Sequence, residues 1–143
     1  MAVEFFIPGA PVGKGRPRAA RRGSHITLYT PAKTATYEST VALFASQAMG
    51  ARSPLIGPVS ADLVISLPVP ASWSKKRTQA ALSGLEHPMG RADLDNFCKS
   101  ALDGMNGIVW VDDVQVVALT AIKRYAETPG VQVRVTEYQK EAA

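Results

Sequence analysis

The stretch Arg91–Gln115, RADLDNFCKSALDGMNGIVWVDDVQ, constrains the chain more than any other. Leu94, Phe97, Cys98, Ala101, Leu102 and Met105 recur at i, i+3, i+4, i+7, i+8 and i+11. That single apolar stripe predicts a helix that starts at Asp93 and is ended by Gly104 and Gly107. Immediately beyond it, Val114–Ile122 is mostly apolar on both faces, the pattern of a central strand covered on both sides. A helix packing its stripe on such a strand brings together the acids at the start of each element: Asp93 and Asp95 on one, Asp112 and Asp113 on the other. Six of the chain's twelve acidic residues fall between Glu86 and Asp113, although the net charge is +4. So dense a group of carboxylates in a basic protein calls for a chemical reason.

The flanking sequence builds a fold around this stretch. Val3–Ile7 reads as a strand and Gly9–Gly23 as a loop rich in Gly and Pro. His25–Tyr29 reads as a second strand, hairpinned with the first. Thr30 as N-cap and Pro31 at the first helical position predict a helix over 32–49, with Tyr37, Val41, Phe44, Ala45 and Ala48 on its apolar side and Gly50 as the stop. Val59, Ala61, Leu63, Ile65 and Leu67 alternate with mostly polar residues, a half-buried strand closed by Pro68 and Pro70. Ser72–Leu82 predicts a short helix capped by Ser72 or Ser74. After a turn at Thr128-Pro129-Gly130, Val131, Val133 and Val135 form a last, half-solvated strand, and Gln139–Ala143 a frayed tail. The expectation is one α+β domain over residues 1–143: a compact two-layer fold with a mixed sheet of about four to five strands and about three helices.

Charged residues at 20% and apolar residues at 46% describe an ordinary soluble protein. No apolar run approaches the roughly 18 residues needed to span a bilayer, so no membrane partner is expected. The N-terminus has no basic leader, and the single cysteine, Cys98, excludes an internal disulfide and a cysteine-based zinc site. A cytoplasmic location follows. The pI near 9.4 makes nucleic acid the first polyanion to consider. Lys14, Arg16, Arg18, Arg21 and Arg22 lie in the 9–23 loop, with no acid between Glu4 and Glu38, and Lys75, Lys76 and Arg77 form a second cluster. GKGRPR lacks the leading glycine and Lys-Ser/Thr ending of a phosphate-binding P-loop. Both clusters read as contacts to a nucleic-acid backbone, or else as solvated charge. His87, beside Pro88, reads as a loop histidine.

Each acid in the central stretch has an ordinary structural explanation. Asp93 caps the helix, Asp95 and Lys99 make an i,i+4 surface pair, and Asp112-Asp113 makes a turn. Asp103 opposes the helix dipole and gets no site role. Taken together, converging carboxylates repel one another and become tolerable around a divalent cation. An oxygen donor set without histidine or cysteine favours Mg²⁺, with Mn²⁺ as substitute, over zinc. Magnesium beside a lysine in a basic protein points to phosphodiester hydrolysis on nucleic acid.

The motifs D-L-D-N-x-x-K (Asp93–Lys99), L-D-G (Leu102–Gly104) and W-x-D-D-x-Q-V (Trp110–Val116) resemble those of the RusA family of Holliday-junction endonucleases. GKGRPR, YTPAKTATYE and PASWSKKR extend the likeness over most of the chain. The resemblance implies a homodimeric, Mg²⁺-dependent nuclease that nicks symmetrically across a four-way DNA junction, with a compact mixed-sheet fold and helices on one side. It implies that Asp93, Asp95 and Asp113 hold the metal, that Lys99 is the catalytic lysine, and that Asp112 is a neighbouring acid of open role. Such members carry an arginine run directly before D-L-D. Here HPMGRA holds only Arg91, so the DNA contacts fall to Lys14–Arg22 and Lys75–Arg77 as well. The competing readings are a nuclease of flaps or forks, a non-catalytic DNA-binding module whose acids merely cap helices, and a small-molecule phosphohydrolase.

Overall fold

The structure, a computed structural model, describes residues 2–15, 18–29, 31–90 and 93–139. Arg16, Thr30 and Arg91, each given a role above, lie outside the described residues.

Four strands build the main sheet: β1 (Ala2–Pro8), β4 (Val59–Leu67), β5 (Val116–Tyr125) and β6 (Gly130–Glu137). Their order is β1-β6-β4-β5. β6 runs antiparallel to both β1 and β4, while β4 and β5 are parallel, so the sheet is mixed. A second, two-stranded sheet pairs β2 (Arg18–Arg22) with β3 (His25–Tyr29). Three helices complete the fold: α1 (Ala32–Met49), α2 (Lys75–Leu82) and α3 (Leu94–Gly104). The expected α+β class and helix count hold.

One face of the sheet is the core wall. Val3 and Ile7 of β1, Val59, Ala61, Leu63 and Ile65 of β4, and Val131, Val133 and Val135 of β6 are buried on it by the period-2 alternation of their strands. α1 lays Tyr37, Val41, Ala45 and Met49 into the core, and α3 adds Phe97, Cys98, Ala101, Leu102 and Met105. The predicted stripe of α3 is the buried one. It packs more on α1 than on β5. At Gly104 an added Cβ would stand 2.6 Å from Val41 Cβ, so the glycine of L-D-G lets α1 and α3 approach closely. Trp110 is fully buried and donates its indole N–H to Asn106 Oδ1 at 2.8 Å.

Five expectations are corrected. The 9–23 segment is not loop throughout, because Arg18–Arg22 forms strand β2. β3 consequently pairs with β2 and not with β1. Pro31 occupies the N-cap of α1 rather than its first turn, and α2 begins at Lys75 rather than Ser72, although Ser74, one of the two expected caps, is the cap, its hydroxyl accepting from Arg77 N–H at 3.2 Å. The largest correction is β5. It is an edge strand, not a central one, and Val117, Leu119 and Ile122 are about half exposed. Apolar residues on both faces were read as burial on both sides; here Leu119 and Ile122, paired with Ala61 and Val64 on opposite faces of the sheet, are both about half exposed beside an unpaired edge.

Candidate active site

α3 positions the first part of the site. Asp93 holds the N-cap place with extended backbone (φ −77°, ψ 143°), but its side chain makes no capping hydrogen bond. Asp95 sits in the first turn, where a negative charge suits the helix dipole. Lys99 follows one turn later and Asp103 one turn after that.

The second part is the turn before β5. Asp113–Gln115 forms a single 3₁₀ turn, and Gln115 anchors it with its whole amide. Oε1 accepts from Val111 N–H at 2.8 Å and Asp112 N–H at 3.1 Å; Nε2 donates to Leu55 and Gly57 carbonyls, each at 2.9 Å. Gln115 thus ties the Asp112-Asp113 turn to the segment that leads into β4. The parallel register of β4 and β5 starts at Val59 and Val116, which puts both connections at one end of the sheet.

The two parts meet at Lys99. The expected Asp95–Lys99 pair is replaced: Lys99 Nζ reaches Asp103 Oδ1 at 2.9 Å and Asp113 Oδ2 at 3.4 Å. Asp103 also takes Lys14 Nζ at 3.1 Å through Oδ2, and Lys14 reaches Glu38 at 2.5 Å. Glu38, Lys14, Asp103, Lys99 and Asp113 therefore alternate in sign along one chain of contacts. Hydrogen bonding to Asp103 raises the pKa of Lys99 and, with its other acidic partners, outweighs burial. Burial lowers that of Lys14, but Glu38 and Asp103 more than restore it. Both side chains are ammonium ions at neutral pH. Burial pushes Asp103 up, yet the two lysines hold it below the ordinary carboxylate range. Asp113 ends above that range: burial raises it, Lys99 opposes, and hydrogen bonds with Asp112 and Asp103 raise it further.

Asp103, which sequence reasoning set aside, is thus a member of the cluster. Its unfavourable place near the C-terminus of α3 costs at most about 1 kcal/mol. Two ammonium groups within hydrogen-bonding distance offset that easily. Glu38 and Gln115 were also missed. The Gln of W-x-D-D-x-Q was a signal for the latter; Glu38 closes the stretch YTPAKTATYE, which carried the likeness but no site role.

The basic residues divide. Lys14 was expected to hold phosphates, yet its ammonium is taken by Glu38 and Asp103, and residues 12–15 are docked. Ser100 Oγ donates to Val12 carbonyl at 2.6 Å, Lys14 N–H to Asn96 carbonyl at 2.9 Å, and Gly15 N–H to Thr34 Oγ1 at 3.0 Å. A Cβ at Gly15 would stand 2.9 Å from both Pro31 Cγ and Thr34 Oγ1, so only glycine fits. Arg77 is similarly engaged: its guanidinium lies 3.5 Å over the Trp73 ring and pairs with Glu86 at 2.7 Å, while Trp73 meets Tyr125 edge-on. Arg21, Lys75 and Lys76 are exposed. Arg18 and Arg22 lie on β2.

A groove of about 620 Å³ runs between α3 and β5, lined by Leu94, Asp95, Cys98, Lys99, Leu102, Leu119 and Ala121. Asp95 and Lys99 are its charged members. Burial, then the charge of Asp95, raises the Cys98 thiol, so it is an inert apolar lining rather than a nucleophile. Asp93, Asp95, Asp112 and Asp113 are oxygen donors of the type that a hard cation such as Mg²⁺ takes. Among the described residues, however, no three His, Cys, Asp or Glu side chains are gathered closely enough to hold a metal ion. The donors stand in two groups, one on α3 and one before β5.

No helix among the described residues is long and apolar enough to cross a membrane. The chain is 38% identical over 137 residues to the uncharacterized protein YqaN of Bacillus subtilis (strain 168), covering 94% of this chain and 96% of that protein. The profile of endodeoxyribonuclease RusA matches residues 8–136, nearly the full length and all of the site just described. The chain belongs to the RusA family of endodeoxyribonucleases.

Proposed function

We propose that this protein is a Mg²⁺-dependent endonuclease that resolves four-way DNA junctions as a homodimer. The observation that carries the reading is the meeting of Lys99 with Asp113 beside the groove that holds Asp95, within the span matched by the nuclease family. Asp93 and Asp95 from one group and Asp113 from the other would have to converge to hold the cation, with Asp112 as a neighbouring acid, and Mn²⁺ would substitute. When bound, the metal would polarise the scissile phosphate and make a water more acidic. Lys99, an exposed ammonium with donors left over from Asp103 and Asp113, stabilises the negative charge that develops on the phosphate oxygens. Gln115 keeps Asp113 at the mouth of β5.

The exposed cations Arg21, Lys75 and Lys76 would hold the DNA backbone, and Arg16, Arg18, Arg22 and Arg91 are the further basic residues the sequence offers for it. Lys14 and Arg77 serve the protein's own architecture instead. A dimer fits a substrate with two-fold symmetry cut on two strands. The uncovered apolar edge of β5 supports that reading by offering a surface to a second copy.

Asp95→Asn tests it on a synthetic four-way junction in Mg²⁺. Cleavage is expected to vanish while junction binding persists. Persistent cleavage would sink the site assignment. A wild-type protein that binds the junction and leaves it intact would favour a non-catalytic module. Preferential cutting of flaps or forks in parallel assays would move the substrate within the same chemistry.

A further inference from the structure

Lys99 has a flexible four-carbon stem and its side chain is 55% exposed, so nothing in its own packing aims it. Asp103 does. It is far less exposed, at 16%, and sits on the last turn of α3, which is pressed against α1 at Gly104. Its Oδ1 takes Lys99 and its Oδ2 takes Lys14, so the carboxylate cannot rotate without breaking one contact. Lys14 is in turn fixed at both ends. Its backbone N–H bonds Asn96 and its ammonium bonds Glu38 on α1. Flanking bonds from Ser100 to Val12 and from Gly15 to Thr34 hold the segment around it.

We infer that Asp103 and Lys14 are positioning residues for the cleavage reaction: Lys14 locks the Asp103 carboxylate, and Asp103 draws the Lys99 ammonium along α3 so that its remaining donors face the phosphate. Without Asp103, Lys99 would swing into solvent or fall wholly onto Asp113 and neutralise it. This inference rests on the proposed role of Lys99. It also reassigns part of the N-terminal basic segment, from holding DNA to building the catalytic side of the site.

The experiment combines kinetics with chemical labelling. Asp103→Asn is expected to lower kcat on a four-way junction by about 10- to 100-fold, the usual effect of removing a group that orients a catalytic side chain. KM, the Mg²⁺ concentration for half-activity and junction affinity in Ca²⁺ should stay within about 2-fold of wild type. Asp103→Glu should recover part of the loss. Lys14→Met should lower kcat less, and the double variant should be no slower than Asp103→Asn alone, because the two act as one unit. An unchanged kcat in Asp103→Asn overturns the inference. So does a rise in the Mg²⁺ requirement, which would make Asp103 a ligand, or a kcat loss that tracks a fall in melting temperature across all variants. Limited amine acylation read by mass spectrometry keeps the test separate from the proposed activity. Lys99 should label several-fold faster in Asp103→Asn than in wild type, and unchanged labelling overturns the inference. If wild type cuts no junction, the functional reading fails, and the labelling still decides the positioning.

Discussion

At the start of α3, Asp93 and Asp95 are exposed, and the Asp93 side chain does not cap its own helix. Two turns on, Asp103 is mostly covered and bonded to two lysines. The acids share one helix and one chemistry, yet differ in what holds them. A carboxylate engaged by two ammonium groups has little left for a cation, whereas one facing a groove without competing bonds is free to become a ligand. On the proposed reading, the helix would separate metal holding, at its first turn, from charge placement, at its last.

The largest expected effect sharpens that division. Lys99→Met should reduce kcat by about 100- to 1,000-fold, the scale for losing one donor to a developing charge, and leave the Mg²⁺ dependence unshifted. Asp95→Asn should abolish cleavage at the Mg²⁺ concentration that saturates wild type, with residual cutting appearing only at far higher Mg²⁺ or Mn²⁺. Equal metal dependence in the two variants would erase the distinction between the two ends of α3.

A smaller effect concerns the turn that brings Asp113 to Lys99. Gln115→Leu leaves two carbonyls and two N–H groups without their partner. It should destabilise the protein by about 1–3 kcal/mol and lower kcat, measured by denaturant unfolding and junction cleavage. If kcat holds while stability falls, Gln115 is a fold anchor alone and Asp113 needs no such aiming.

The smallest effect is a stability difference with opposite signs. Asp113 has a raised pKa in the fold, so its folding contribution is present below the unfolded carboxylate value and is lost as pH rises through the folded one. Asp113→Asn should therefore melt slightly higher than wild type at pH 7 while being inactive. Asp103 has a lowered pKa, so its contribution is present above the unfolded value and disappears as pH falls through the folded one. Asp103→Asn should melt slightly lower at pH 7 and converge with wild type in acid. Melting curves between pH 3 and pH 7 check both, and equal shifts would contradict the electrostatic contrast.

The sheet and helices were largely legible, because each core element carries a complete local pattern. Val59–Leu67 is found at its predicted bounds, and every predicted stripe residue of α3 from Phe97 to Met105 is buried. β5 misled because exposure and burial of Val117, Leu119 and Ile122 look alike in sequence; only the strand order places them at an edge. β2 was hidden by its basic, Gly- and Pro-flanked sequence, RAARR. In the candidate site, the motif residues Lys99 and Asp113 are indeed neighbours. Asp103 was illegible for a different reason. Its meaning depends on Lys14, far earlier in the chain, and no helical periodicity reports a partner brought in by the tertiary fold. The same holds for Arg77, whose charge goes to Trp73 and Glu86.

The most direct test of the account is strand cleavage of a four-way junction by the wild-type protein, beside a linear duplex of the same sequence, in Mg²⁺ and in EDTA. The account predicts paired symmetric nicks in the junction with Mg²⁺, none in EDTA, and an uncut duplex. Cleavage that survives EDTA, or a junction bound but uncut in Mg²⁺, would contradict it.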